Sequence, residues 1–265
     1  MAVEERLTLL DALLAAGIDP SRIMPGTGCC SITETITLTA HAVKHGCAGV
    51  LMLPPFYYKN VTEEGLYGCF SEVVQRVGNT RLKIYLYHIP SVAIVSITPK
   101  LVERLLKAYP NTIAGMKDSS GDWNNTETFV DAFGRNGFDV FVGSESFLLS
   151  NLRKGGVGSI SATANVNPAA IHKLYAECSG KPPATRAFTP DLEHQQSRLN
   201  DVRDVFTSRT FPSTIAALKQ AIAIYRNEPG WTKVRPPLVE LTAKQAELLA
   251  AELKAIGFEM AGIET

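Results

Sequence analysis

Lys83-Ile84-Tyr85-Leu86-Tyr87 and Thr112-Ile113-Ala114-Gly115-Met116-Lys117 decide how this chain reads. Each is a mostly apolar run of strand length that ends on a polar side chain. Strand alternation sends Lys83, Tyr85 and Tyr87 to one side of the first run, and Ile113, Gly115 and Lys117 to one face of the second. Outward from this pair, further runs at Arg22–Gly26, Gly49–Leu53, Val140–Gly143 and Gly158–Ala162 read as strands. Each is followed by a segment of helical period that opens near Ser, Thr, Asp or Pro. A helix from about Glu4 to Ala16, striped by Leu7, Leu10, Leu13 and Leu14, precedes them all. Six such βα units predict parallel pairing through right-handed crossovers, in an open doubly wound sheet or a closed barrel. No G-x-G-x-x-G follows the first run and no G-x-x-x-x-G-K-[ST] occurs, so the usual nucleotide sites of the open sheet lack support. Polar residues instead gather at strand C-terminal ends: Thr27, His88, Asp118, Ser144, Glu145 and Ser161 among them. That is the rim where an α/β (βα)8 barrel, the TIM fold, builds its active site.

The 265 residues are 45% hydrophobic, with 26 Lys+Arg against 26 Asp+Glu. This composition excludes disorder and fibre, and zero net charge supplies no broad field for a polyanion. Neither nucleic acid nor a membrane surface is expected as a partner. Apolar stretches such as Gly49–Leu53 are far shorter than the ~20 residues that span a bilayer. The start MAVEERLTLL lacks the pattern of a signal peptide, so a cytoplasmic protein is expected. Five cysteines, an odd number, fit a reducing compartment and free, buried thiols. His41 and His45 would share a helix face, but no acidic third ligand stands nearby in sequence, so a solvated face is expected rather than a metal site. After residue 180 the pattern changes to three helices, about Thr189–Thr207, Pro212–Tyr225 and Thr242–Ile256, beyond a joint at Lys181-Pro182-Pro183. The expected organisation is a barrel portion over 1–180 and a helical extension over 181–265.

Lys117 is the residue with most chemical promise. If its strand face is the barrel interior, burial disfavours the ammonium and yields the neutral amine that attacks a carbonyl to form a Schiff base. The alternative is a strand-end lysine reaching out to solvent. Tyr87 ends the preceding strand, and a phenol there can exchange protons with a carbinolamine or an aldol hydroxyl. A rim tyrosine that only packs is the alternative.

Several ordered motifs then point to one family. Y-H-I-P at Tyr87–Pro90, G-M-K-D-S at Gly115–Ser119 and G-G-V-G-S-I-S-A-T-A-N at Gly155–Asn165 resemble the dihydrodipicolinate synthase/N-acetylneuraminate lyase family. So do M-P-G-T-G at Met24–Gly28, P-P-F-Y-Y-K at Pro54–Lys59, E-G-L-Y at Glu64–Tyr67 and R-P-P-L at Arg235–Leu238. The resemblance covers essentially the whole chain. It implies a (βα)8-barrel class I aldolase, free of cofactor and metal, that joins or splits carbon-carbon bonds through a lysine Schiff base with a 2-keto acid. By motif, Lys117 resembles the Schiff-base lysine and Tyr87 the proton-shuttling tyrosine. Tyr58 resembles the tyrosine sent into a neighbouring subunit's site, and a homo-oligomer, dimer or tetramer, is implied. Gly143 and Ile160 stand where the backbone lines the keto-acid pocket, with Ser144, Glu145 and Ser161 placed to meet the variable substrate tail. For these five a core or turn role stays open.

Two departures qualify the resemblance. The family's G-T-T-G-E motif, which holds the keto-acid carboxylate, is missing from this sequence, and Met1–Arg6 resembles the start of the helix that follows it. The six strands therefore correspond to strands three to eight. Second, Val92 stands where dihydrodipicolinate synthases place a carboxylate-binding Arg, and His88 replaces the common Asn. A carboxylate buried against Val92 lacks a counter-ion, which argues against aspartate semialdehyde as second substrate. A pyruvate-type lyase or aldolase is expected, with dihydrodipicolinate synthase, a keto-deoxy sugar acid dehydratase and a catalytically silent relative as alternatives.

Overall fold

A computed structural model describes residues 1–179 and 189–261; the joint at Lys181-Pro182-Pro183 lies outside the described residues. The fold is α/β with parallel strands. The chain forms two compact units, one of residues 1–141 and 155–157, the other of 142–154 and 158–265.

In the first unit the strands are β1 (Val50–Met52), β2 (Ile84–His88), β3 (Ile113–Asp118) and the start of β4 (Asp139–Val142), in that order. The pairs β1–β2 and β2–β3 are parallel. Helices α1 (Val3–Ala15), α2 (Ile32–Lys44), α3 (Glu63–Val77), α4 (Pro90–Ala93), α5 (Pro99–Ala108) and α6 (Trp123–Phe133) fill the connections. The Ser, Thr and Asp residues that mark helix starts act as caps: Ser31, Thr62, Thr98 and Asp122 each accept a backbone N–H from the first turn. The core joins the buried side chains of Val50, Met52, Ile84, Leu86, Ile113 and Met116 to those of Phe70, Leu101, Leu105 and Phe129.

Three expectations need correction here. Arg22–Gly26 is not a strand, because Pro20–Arg22 forms a 3-10 turn and Pro25 has no N–H for a ladder. What survives is one bridge, in which Leu51 N donates to Pro25 O at 2.9 Å and Thr27 N to Leu51 O at 2.9 Å. Ile113 does not share the face of Gly115 and Lys117. The register shifts between Ile84 and Tyr85, pairing Ile113 with Ile84 but Gly115 with Tyr85, so Ile113 joins the core beside Ile84. Burial also fails as a rule for the cysteines: Cys30, in the turn before α2, is exposed, and Cys29, Cys47 and Cys69 are only partly covered.

The second unit holds β5 (Gly158–Ser159) and helices α7 (Leu148–Lys154), α8 (Pro168–Ser179), α9 (Pro190–Thr207), α10 (Thr214–Arg226) and α11 (Ala243–Ala255). The last three lie within two residues of the expected bounds. One core cluster gathers Val202, Phe206, Leu218, Leu249, Leu253 and Phe258, and a second gathers Leu148, Leu152, Leu174 and Leu199. Among the described residues no helix is long and apolar enough to cross a membrane.

Gly115 sets the spacing between β3 and its neighbours. A Cβ there would stand 2.3 Å from Asp139 O and 2.9 Å from Tyr85 Cδ1. Gly115→Ala is therefore expected to destabilise the protein by about 1–3 kcal/mol, read as a lower denaturant midpoint with unchanged slope.

Candidate active site

Lys117 ends its face of β3 directly opposite Tyr87 of β2 in the parallel register. Its Nζ donates to Tyr87 Oη at 3.2 Å and stands 4.4 Å from the centre of the same ring. Lys117 is 9% exposed, so the side chain is largely withdrawn from water. Two expected site residues are thus brought together by strand alternation and register alone.

The next residue, Asp118, fixes where that lysine sits. Its buried carboxylate accepts from Ser120 N at 2.9 Å, Ser120 Oγ at 2.9 Å, Asn125 Nδ2 at 3.1 Å and Thr126 Oγ1 at 2.5 Å. These four bonds lock the turn after β3 and tie it to the first turns of α6. Four donors satisfy a charge whose burial otherwise costs several kcal/mol. The pairing of β2 and β3 also runs past Lys117, where Ser119 N donates to His88 O at 2.7 Å.

His88 packs beneath this end of the sheet. Ile97 N donates to its Nδ1 at 3.1 Å, which requires that nitrogen to be an acceptor and the ring to be neutral. Burial holds the imidazole below its ordinary value, partly offset by the Asp118 carboxylate. Behind Tyr87 on the same strand, Tyr85 Oη donates to Asp139 Oδ2 at 3.0 Å. Burial first, then the Asp139 charge, pushes this phenol up to about 12, so Tyr85 stays a protonated donor.

Tyr58 lies elsewhere. It is 74% exposed in the loop between β1 and α3, with its ring edge-on to Tyr57 at 5.3 Å. The neighbouring Lys59 ties that loop to α4, donating to Phe56 O at 2.5 Å and Ala93 O at 3.2 Å.

In the second unit, the buried Glu145 and Thr163 and the half-buried Ser161 form a polar knot. Ser161 Oγ and Thr163 Oγ1 donate to the two oxygens of Glu145, and Arg203 Nη1 pairs with Oε2 at 3.1 Å. Gln196 Nε2 donates to Glu145 O at 2.9 Å. Both carboxylate oxygens of Glu145 are therefore occupied, and the residue is 1% exposed. Ser144 Oγ accepts Ser146 N at 3.2 Å, a turn role, while Ile160 N donates to Val142 O at 2.9 Å. Gly143 and Ile160 are half-buried.

The sequence motifs give Asp118, Thr163, Gln196 and Arg203 no individual role. D-S-S-G-D at Asp118–Asp122 carries a turn signature that marks the first of them. Arg203 lies on α9, far along the chain from Glu145, and no local pattern points to it.

A neutral buried histidine makes stability depend on pH. The unfolded chain binds a proton near pH 6.5 that the folded protein resists, so stability is full above that pH and lost as pH falls below it. The slope reaches up to about 1.4 kcal/mol per pH unit. His88→Asn, which keeps an acceptor for Ile97 N, is expected to flatten this acid limb in denaturant titrations between pH 6.5 and 5.

Comparison with known proteins shows the family. The dihydrodipicolinate synthetase family model matches residues 1–256. An uncharacterized DapA-like lyase of Chloroflexus aurantiacus is 31% identical over 258 residues, 97% of this chain and 80% of that one. The crystal structure of dihydrodipicolinate synthase from Agrobacterium tumefaciens superposes with a TM-score of 0.81 at 32% identity, covering 97% of this chain and 83% of that one. YagE, a prophage protein of the dihydrodipicolinic acid synthase family from E. coli solved in complex with pyruvate, gives 0.82 at 26% identity, covering 97% and 82%. The α/β fold, with Lys117 and Tyr87 facing each other across β2 and β3, belongs to a member of the dihydrodipicolinate synthetase family, a family of lyases.

Proposed function

We propose that the protein is a pyruvate-type class I lyase or aldolase in which Lys117 forms the Schiff base. The observation that carries this reading is the 3.2 Å contact between Lys117 Nζ and Tyr87 Oη on paired strands. Lys117 in its neutral form adds to C2 of a 2-keto acid to give a carbinolamine. Tyr87 protonates the departing hydroxyl, water leaves, and an iminium remains. Loss of a C3 proton gives the enamine, which attacks an aldehyde; the reverse sequence cleaves the bond. Hydrolysis of the iminium then frees the amine. The pyruvate bound to YagE supports this substrate class for a relative of the same fold.

On this reading β1 to β5 are the fourth to eighth strands of a (βα)8 barrel, the bridge at Gly26 stands where the third would run, and the helices after residue 180 are an extension of the barrel. Gly143, Ser144, Ile160 and Ser161 keep the substrate-binding roles that the resemblance implies. Glu145, with both oxygens taken, acts by holding Ser161 and Thr163 rather than by meeting substrate itself. The exposure of Tyr58 suits a homo-oligomer in which it serves a neighbouring subunit.

Borohydride reduction in the presence of pyruvate tests the imine. The wild-type chain is expected to gain one carboxyethyl group on Lys117, located by peptide mass spectrometry, and Lys117→Ala none. Trapping that persists in the variant would remove the assignment. Tyr87→Phe is expected to lower turnover by roughly 10²–10⁴-fold while leaving Lys117 in place.

Dihydrodipicolinate synthase activity itself is the second reading, favoured by the match to the Agrobacterium enzyme. Against it, Val92 on α4 supplies no cation at the position of the expected carboxylate clamp; the side chain is 69% exposed, so the missing cation and not desolvation opposes the second substrate. Condensation of pyruvate with aspartate semialdehyde is expected to be slow and to improve in Val92→Arg; brisk wild-type turnover contradicts the Val92 argument.

A further inference from the structure

Asp11 on α1, His41 on α2 and His45 at the C-cap of α2 converge at one point of the first unit. His41 Nε2 lies 2.7 Å from Asp11 Oδ1, and His45 Nε2 lies 3.5 Å from the same oxygen. The two rings meet edge-on with centroids 4.5 Å apart. Three atoms able to ligate a metal, two imidazole nitrogens and a carboxylate oxygen, all lie within 4.8 Å of one another. The acidic group missing near His41 and His45 in sequence is supplied by the preceding helix.

We propose that Asp11, His41 and His45 bind one divalent transition-metal ion and that the ion staples α1 to α2. The spacing of His41 and His45 places both rings on one helix face, and both present the same nitrogen to Asp11. A metal about 2.0–2.2 Å from each ligand requires ligand atoms roughly 3–3.5 Å apart. The His45–Asp11 separation of 3.5 Å already meets this. The His41–Asp11 pair at 2.7 Å needs only to open slightly, which a half-exposed aspartate allows by a small side-chain rotation. The donor set selects the class of ion. Two imidazoles favour Zn²⁺, Ni²⁺ or Cu²⁺ over the all-oxygen shells of Mg²⁺ and Ca²⁺. Side-chain exposures of 20%, 32% and 51% leave the remaining coordination positions to water. The site is therefore an open three-ligand one, unlike a closed four-ligand structural site.

Ni²⁺ and Cu²⁺ serve as probes on the full chain. Calorimetry is expected to show one saturable Ni²⁺ equivalent per chain and no such heat with Mg²⁺. Cu²⁺ is expected to give an electron paramagnetic spectrum split by two equivalent nitrogens. Loss of an outer-shell partner alone commonly costs ten- to a hundredfold in metal affinity, so His41→Gln, His45→Gln and Asp11→Asn are each expected to weaken Ni²⁺ at least about tenfold. The melting temperature should rise with Ni²⁺ in the wild type and not in these variants. Asp11→His, which restores a third ligand, is expected to keep binding and controls for a fold defect. Absence of saturable Ni²⁺ binding overturns the proposal, as does binding that all three variants retain, which would place the metal on the thiols near Cys29 and Cys30. Borohydride trapping of pyruvate is expected to be unchanged in His41→Gln, so failure here is distinguishable from failure of the Lys117 assignment.

Discussion

The position of one amine depends on the buried carboxylate that follows it in the chain. Asp118 is held by four donors from Ser120, Asn125 and Thr126, so the end of β3 cannot shift without breaking several charge-assisted bonds in a medium that does not replace them. With the backbone fixed there, alternation leaves Lys117 no choice of face, and the register sets Tyr87 opposite it. Gly115 completes the constraint, because only a residue without Cβ lets Asp139 and Tyr85 close in beside the same strand.

The two units use buried charge differently. In the first, Asp118 is satisfied by hydroxyls, an amide and a backbone N–H, all from the turn and helix next to it in sequence. In the second, Glu145 is satisfied by Ser161 and Thr163 and by Arg203 of a distant helix. A carboxylate neutralised locally orders its own loop; one paired with Arg203 ties β5's following turn to α9. Removing Arg203 leaves the buried Glu145 charge without its cation, the more costly failure.

Much of this was legible in the sequence because it is local. Strand alternation made Lys117 and Tyr87 candidates and the motifs around them supplied their expected roles, helix starts were marked by the residues that cap them, and the three C-terminal helices followed from apolar period. The errors share a cause as well. Arg22–Gly26 reads as a strand until the missing N–H of Pro25 is counted, and Ile113 changes face because one extra residue enters the pairing with β2. Asp11 and Arg203 were beyond reach for another reason: they meet His41 and Glu145, 30 and 58 residues away, only once the chain has packed, and no spacing rule encodes that.

A crystal structure of the protein soaked with pyruvate would look at the proposed covalent bond itself. Imine formation gives continuous density from Lys117 Nζ to C2 of the ligand, with Tyr87 Oη within hydrogen-bonding distance of the new bond. Pyruvate bound elsewhere, or a bare Lys117 amine beside an unreacted ketone at saturating ligand, would contradict it.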